Sequence, residues 1–499
     1  MKQLPPVIKC ASLASALLLV SILASSLGCT VGPEYKRPAV QVPDTWKGEG
    51  PWQAATPKDA IPKGPWWQLF NDAELDQLEQ QLLQANQSLV AAQDRLAQAR
   101  AQARIASSAY FPTVSVDPNG QRERLSGNRP LSGSTVPLTP VTQYDFVVPF
   151  AVSYELDLFG RVRRGLEAAN ASLQGSAADL ENVRLILTAE LAADYFNLRE
   201  SDREAGVVRQ SVEIEQKGLD LVNNRHEGGV ANGLEVAQQA ALLDSTATQL
   251  SLVLQQRAQY EHAIAVLLGK SASSFSLAEA PFNDAPPPIP VGVPSEILER
   301  RPDVATSERQ MAFENAQVGI AMTAFYPHIT LSGSGGWESR DIATLVNAPS
   351  ALWSLGGDAL QPIFNGGRNR ANLASSRAAY DESVANYREN VLEAFQQVED
   401  GLSGLAMLNQ AAKTQLAAVT DSRRALDLAN NRYVGGLTTY LDVITAQTTL
   451  LNNERLQTQL LGQQMVTSVY LVKALGGAWD ASEIQREQVR PKLVQAVQQ

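Results

Sequence analysis

Chemistry-bearing side chains are sparse in this chain. Histidine occurs only at His226, His262 and His328, each isolated in its segment. A lone histidine is usually structural, and none stands at metal-ligand spacing from a second histidine or a cysteine. No phosphate-cradling glycine loop and no Ser/His/Asp arrangement rises above chance, so no catalytic residue, metal or cofactor is assigned and an enzyme is the weakest class. What stands out is a pair of matching stretches: Asn223-Asn224-Arg225-His226-Glu227-Gly228-Gly229, leading to Glu235, and Asn430-Asn431-Arg432-Tyr433-Val434-Gly435-Gly436, leading to Asp442. In each, a long helical pattern meets paired glycines and restarts within a few residues, as in a turn between antiparallel helices. Glu235 and Asp442 then fall in a first helical turn, where a carboxylate complements the helix dipole.

The elements that hold these turns repeat. Gly160 and Gly367, Asn223 and Asn430, and Gly269 and Gly476 are each separated by 207 positions, the mark of a duplicated helical hairpin. The first long helical pattern runs from Val162 to Arg225 without proline, which makes a rod of roughly 95 Å. Its return helix spans Leu234 to Leu268. In the second half Tyr380, Val384, Tyr387, Val391, Phe395, Val398, Leu402 and Leu405 form one apolar stripe in steps of four and three. Leu173, Ala177, Leu180, Leu191, Tyr195 and Leu198 form the earlier stripe, interrupted by Arg184 and Thr188. A shorter helix opens each half, from Ala73 to Ala109 and from Arg301 onward, ending at Tyr110-Phe111-Pro112 and Phe325-Tyr326-Pro327.

Between the short and long helices the period changes to two. After Val114 and Val116 comes a Gly/Pro/Ser-rich loop, Gly120 to Pro140, and then a strand from Thr142 to Leu158. Phe146, Val148, Phe150, Val152 and Tyr154 share one face of that strand, and Ala151, Ser153, Glu155 and Asp157 share the other. Lipid outside and water inside would require such a division, and the run is long enough to cross a bilayer at a tilt. A sandwich strand would alternate in the same way, but the flanking chain offers helices and no second set of strands. Corresponding strands are expected at His328–Trp337 and Ala351–Phe364. Four strands cannot close by themselves, because membrane barrels start at about eight. Oligomerisation is therefore required if these strands lie in lipid, with two, three or four copies all allowed.

The formal charge of the 499 residues is −11, which argues against a nucleic-acid partner. Lys2 and Lys9 precede an apolar run, Ala11 to Leu27, too short to span a membrane comfortably. Ser26-Leu27-Gly28-Cys29 resembles a bacterial lipobox, in which the signal is cut before a cysteine that then carries lipid. By the same resemblance Thr30 points to the outer membrane. Removal of residues 1–28 would take Cys10 and leave Cys29 as the only cysteine, so no internal disulfide could form.

Gly28-Cys29-Thr30-Val31-Gly32-Pro33-Glu34-Tyr35, Arg300-Arg301-Pro302-Asp303-Val304, Pro362-Ile363-Phe364-Asn365-Gly366-Gly367-Arg368, and Tyr433-Val434-Gly435-Gly436 through Leu441-Asp442-Val443 resemble the outer membrane factor family. The likeness is to the NodT- and OprM-type lipoproteins related to TolC and covers essentially the whole mature chain. It implies a homotrimer, mostly α with a small β part: a 12-stranded barrel, four strands per chain, continued by a helical coiled-coil barrel into the periplasm. It implies a passive exit duct of a tripartite efflux pump, with a periplasmic adaptor at Gly228, Gly229, Gly435 and Gly436 and an inner-membrane RND transporter supplying energy. Asp442 matches an aspartate ringing the closed entrance, and Thr445 stands where some relatives place a second one. Tyr433 matches a tyrosine tied to an acid on the neighbouring hairpin, the position of Glu235, and Thr438 replaces the arginine found in TolC.

The implied organisation is a signal peptide (1–28), an extended Pro/Trp-rich strap (29–72), a first repeat (73–270), a Pro-rich linker (271–300), a second repeat (301–477) and a tail (478–499). The same fold serving type I protein secretion or metal-ion efflux is the alternative. A trimeric coiled-coil spacer or adhesin without a pore would explain the rods but not the alternation.

Overall fold

A computed structural model describes residues 30–39, 43, 46–47, 53–54, 64–127, 140–280, 285–291, 300–477, 479, 484 and 487–491. The expected signal segment and Cys29 lie outside the described residues, as do residues 128–139 of the expected Gly/Pro/Ser-rich loop. Helices α1 (Ala73–Ala85) and α2 (Gln87–Ser108) lead to strands β1 (Thr113–Val116), β2 (Asn119–Leu125) and β3 (Val141–Leu156). Helices α3 (Arg161–Glu227) and α4 (Gly233–Leu267) form the first hairpin. Then follow α5 (Pro302–Thr323), β4 (His328–Ser339), β5 (Ala351–Leu360), and the second hairpin, α6 (Arg368–Val434) and α7 (Tyr440–Ala474).

The two long helices each have 67 residues, about 100 Å of rod, and their return helices have 35 each. Such lengths need lateral packing, because propensity by itself does not sustain them. The apolar stripe supplies it. Tyr387, Val391, Phe395, Val398 and Leu402 are buried along α6, as are Leu173, Leu180, Leu191, Tyr195 and Leu198 along α3. Thr188, which interrupts the earlier stripe, accepts a hydrogen bond from the Trp66 indole at 3.2 Å.

The expected single helix from Ala73 to Ala109 is two helices. Asn86 stops the first and starts the second: its side-chain oxygen accepts from the Leu89 N–H at 3.0 Å, and its amide donates to the Leu267 carbonyl at 2.8 Å. Its side chain thus caps one helix and grips another, satisfying backbone groups that the break leaves free.

The Pro/Trp-rich segment is strapped onto the scaffold where it is described. Val31 N–H bonds to the Phe159 carbonyl at 3.1 Å, and the Tyr35 hydroxyl donates to the Glu308 carboxylate at 2.5 Å. Arg37 donates to the Tyr387 hydroxyl at 3.1 Å, and Trp46 lies edge-on to Phe395 with ring centroids 6.1 Å apart. Trp66, Trp67 and Phe70 fill the main core, each stabilising by about 1.5–3 kcal/mol through lost apolar contact with water. Beside that core a buried ion cluster joins α3, α4 and α1. Asp202 is clasped by Arg199 at 2.7 Å and Arg257 at 2.5 Å, and Arg199 also pairs with Glu74.

The sheet is antiparallel, in the order β1/β2–β3–β4–β5. Of the loop expected from Gly120 to Pro140, Gly120 to Leu125 are in fact strand β2. β1 and β2 share one register on β3, with Val116 opposite Phe150 and Asn119 opposite Val147. They are one strand interrupted at Asp117-Pro118, where Pro118 and Pro149, which lies opposite Asp117, lack N–H donors. β5 ends at Leu360 rather than at Phe364, and β3 ends at Leu156 rather than at Leu158.

Candidate functional site

Two regions gather the residues singled out from the sequence. In the sheet, strand alternation and register bring Val114, Val116, Phe146, Val148, Phe150, Val152, Tyr154, Ile329, Leu331, Trp337, Trp353 and Leu355 to one face. The five residues expected on the apolar side of β3 therefore belong to a face that continues across β1, β4 and β5, while β2 brings Gly120, Arg122 and Arg124 to it. Phe150 meets Trp337 edge-on at 6.2 Å. The opposite face carries Ser115, Ala151, Ser153, Glu155, Thr330, Ser332, Ser334, Ser354, Gly356 and Asp358, with the Ser334 and Ser354 hydroxyls 2.8 Å apart. Among the described residues no helix and no second sheet packs across either face, so the arrangement is not a sandwich. Trp353 and Leu355 are about four-fifths exposed, at 78% and 81%. Among the described residues no strand pairs with the free edge of either outer strand. Among the described residues no helix is long and apolar enough to cross a membrane, and no group of side chains could hold a metal ion.

The second region is the far end of the hairpins. Gly228 and Gly435 close the long helices with φ of −75° and −74°, whereas Gly229 and Gly436 turn the chain with φ of +76° and +72°. Only the second glycine of each pair needs its missing Cβ, since side chains rarely adopt that left-handed conformation. The Val230 N–H then reaches the Arg225 carbonyl at 2.8 Å, and Leu437 reaches Arg432 at 2.9 Å, satisfying the last carbonyls of both rods alike. Val230, Leu234, Val434, Leu437 and Leu441 surround the turns and are exposed.

Behind the turns a small apolar cluster of Val222, Ala231, Val419, Leu426, Tyr433, Tyr440, Val443 and Leu450 joins the two hairpins. The Tyr433 hydroxyl donates to the Glu235 carboxylate at 2.9 Å, a direct bond from the end of α6 to the first turn of α4. Burial first, and then Glu235, push the Tyr433 hydroxyl above its ordinary value, so it keeps its donor proton at neutral pH. Sequence reasoning did not find the two groups that hold this tyrosine in place. Arg225 lies over its ring at 4.7 Å, and Tyr440 packs on it with centroids 4.8 Å apart. Their signal was present in the repeated Asn-Asn-Arg and in the tyrosine two residues before Asp442.

Asp442 is exposed in the first turn of α7 and accepts a hydrogen bond from the Thr438 hydroxyl. Thr445 adds no second charge; its hydroxyl donates to the Leu441 carbonyl at 2.8 Å. Glu215 was also missed. It is 1% exposed on α3, its Oε2 has no hydrogen-bond partner among the described residues, and burial raises its carboxyl from 4.5 to about 7. Gln239 on α4 donates to the Glu215 backbone carbonyl at 2.7 Å, pinning the two helices there.

Residues 78–270 and again 293–477 match the outer membrane efflux protein family. The chain is 33% identical over 467 residues to the pyoverdine export outer membrane protein OpmQ of Pseudomonas aeruginosa, covering 93% of this chain and 97% of the relative. It is 31% identical over 472 residues to the outer membrane protein OprJ of the same organism, covering 93% and 96%. The fold superposes on the crystal structure of the Campylobacter jejuni CmeC outer membrane channel with a TM-score of 0.82 at 26% identity, over 92% of this chain and 98% of that one.

Proposed function

Because the chain belongs to the outer membrane efflux protein family, we propose that it is the outer-membrane exit duct of a tripartite efflux pump, passive in itself and driven by an inner-membrane transporter of the RND class. One observation carries the reading: a single-layer sheet with an apolar face, a small polar face and two open edges stands at the end of rods about 100 Å long. Open edges in lipid would leave backbone groups unpaired, so the sheet must close with other copies. Three copies would give a twelve-position barrel, each chain supplying β1/β2, β3, β4 and β5. The hairpins, two per chain by internal duplication, would prolong it as a tunnel.

In this reading Cys29 carries the lipid. Thr30 packs on Gly160 at the junction of sheet and helices, the depth at which an anchor would meet the membrane surface. The exposed apolar residues around Gly228, Gly229, Gly435 and Gly436 meet the periplasmic adaptor. The Tyr433–Glu235 bond holds the hairpins together at the closed tip, and Asp442 places a negative charge near the entrance. Opening would be an outward pivot of one hairpin against the other, breaking that bond.

The test is deletion followed by a susceptibility panel of dyes, detergents and antibiotics, together with co-purification of the adaptor and planar-bilayer recording of the purified protein. A duct gives sensitised cells and cation-preferring conductance. A spacer without a pore gives no conductance, and a duct for proteins or metal ions leaves the drug panel unchanged.

A further inference from the structure

Charge is divided unevenly between the two faces of the sheet. Glu123, Asp145, Glu155, Glu338 and Asp358 all fall on the polar face. Among the described strands the apolar face carries no acid, and its charged residues are Arg122 and Arg124. Alternation along β2 makes the division, since Arg122-Glu123-Arg124 turns both cations one way and the acid the other. Both arginines are exposed and stand at the end of the sheet remote from the helices. Arg122 lies opposite Tyr144 and Arg124 opposite Thr142, near the start of β3, whereas α3 begins just beyond Leu156 at its other end.

The strand sets their level. From Leu156 to Phe146 every residue that β3 places on this face is apolar or aromatic, a run of about 34 Å along the strand. At the tilt of about 40° usual for membrane barrels this is about 26 Å of height, close to the apolar band of roughly 25 Å that such barrels present to lipid. Arg122 and Arg124 follow one and two rows further out, about 5 and 10 Å above the band. An arginine costs much at the middle of a bilayer and little at its border, where the stem covers the last apolar row and the guanidinium meets headgroups.

Among the described residues no acid pairs with either arginine. The Arg122 guanidinium lies over the Tyr144 ring at 5.4 Å, a contact that orients it and uses none of its N–H donors. The neighbouring acids are engaged elsewhere. Glu123 accepts from Gln143 at 2.8 Å and Asp145 from Gln121 at 3.4 Å, both on the polar face, while Asp341 accepts from the Ala343 N–H at 3.0 Å. The sequence joining β2 to β3 adds Arg129 and no acid.

We propose that Arg122 and Arg124 bind the headgroup of a phosphate-bearing lipid in the outer leaflet. The proposal rests on the duct reading, which sets the apolar face in lipid, and adds the lipid chemistry which that face selects. A guanidinium fork matches phosphate oxygens, and two forks about 7 Å apart along one strand give a headgroup with more than one phosphate several points of attachment. A zwitterionic headgroup brings its own cation and gains less.

Native mass spectrometry of the purified, delipidated oligomer tests this with three probes: bisphosphorylated lipid A, the same lipid A with its phosphates removed, and phosphatidylethanolamine. Wild type should bind the bisphosphorylated probe about thirtyfold more tightly than the dephosphorylated one, near fivefold for each cation at a charged lipid surface and their product for two. That comparison needs no variant. Arg122→Gln with Arg124→Gln should lose the same factor for the bisphosphorylated probe and leave the other two unchanged. Lysine at both positions should fall between, because the charge stays and the fork goes. Equal affinity of wild type for the phosphorylated and dephosphorylated probes, or of wild type and the glutamine variant for the phosphorylated one, overturns the site. Displacement of bound lipid A by an equal concentration of inorganic phosphate overturns the lipid as its ligand. Failure of the wild-type protein to float with phospholipid vesicles overturns the duct reading instead.

Discussion

Removing the Tyr433–Glu235 bond isolates one contribution to the proposed closure of the tip. Tyr433→Phe keeps the ring, and therefore its packing on Tyr440 and under Arg225, and deletes only the hydroxyl that donates to Glu235 at 2.9 Å. Glu235→Gln keeps the length and deletes the charge. A hydrogen bond to an ionised acceptor is worth about 1.5–3 kcal/mol, and the half-exposed Glu235 places this one near the lower figure. A loss of about 1.4 kcal/mol raises the open-to-closed ratio about tenfold for each hairpin pair that pivots independently. The double variant should add little to Tyr433→Phe, because the bond is already gone. The assay is single-channel recording of the purified protein in planar bilayers, supported by uptake of an antibiotic too large for ordinary porins. Equal mean conductance and equal open probability in wild type and double variant would refute the argument that this bond restrains opening, while leaving the pore untouched.

Three further outcomes are expected. Asp442→Asn should reduce cation preference, read as a reversal potential closer to zero across a salt gradient; if the carboxylate acts only on its helix dipole, the melting temperature moves and selectivity does not. Glu215→Gln should stabilise the protein at pH 8 but scarcely at pH 5. The folded carboxyl titrates at about 7 against an ordinary 4.5, so its favourable contribution is complete below that ordinary value and is lost as pH rises through 7. That difference amounts to about 3 kcal/mol at most, and identical melting profiles of both forms across this range would discard it. Asp202→Ala should cost about 3–5 kcal/mol, because it leaves the Arg199 and Arg257 guanidiniums buried beside no shared carboxylate. A thermal midpoint within a degree of wild type would show that water or Glu74 takes over.

The rods were legible in the sequence to within two or three residues, because helices without proline that end at paired glycines leave little freedom in placing their limits. The apolar face of β3 was legible for the same kind of reason, since its alternation is strict. Features that depend on residues far apart in the chain were not. Asn86 breaks a helix because Leu267 waits for its amide, and nothing near Asn86 in the sequence announces that contact. β2 looked like loop because Gly120, Arg122 and Arg124 lack a strand's composition, yet β3 holds them in register. The Asp202 cluster joins residues from α1, α3 and α4, and its only local sign is Arg199 and Asp202 three apart on a helix otherwise rich in alanine. At the tip, Tyr433 and Glu235 were placed by family likeness; the ring contacts that position the tyrosine came only from the folded chain.

The equal lengths of the two hairpins act as a ruler. A single residue inserted in either rod would advance its tip by about 1.5 Å and rotate everything beyond the insertion by about 100°, turning the buried stripe toward water and setting one turn deeper than the other. Length can therefore change only in both rods together and in steps close to whole heptads. Among proteins of this architecture, the distance spanned between membranes should vary in discrete increments shared by both halves, never by drift in one.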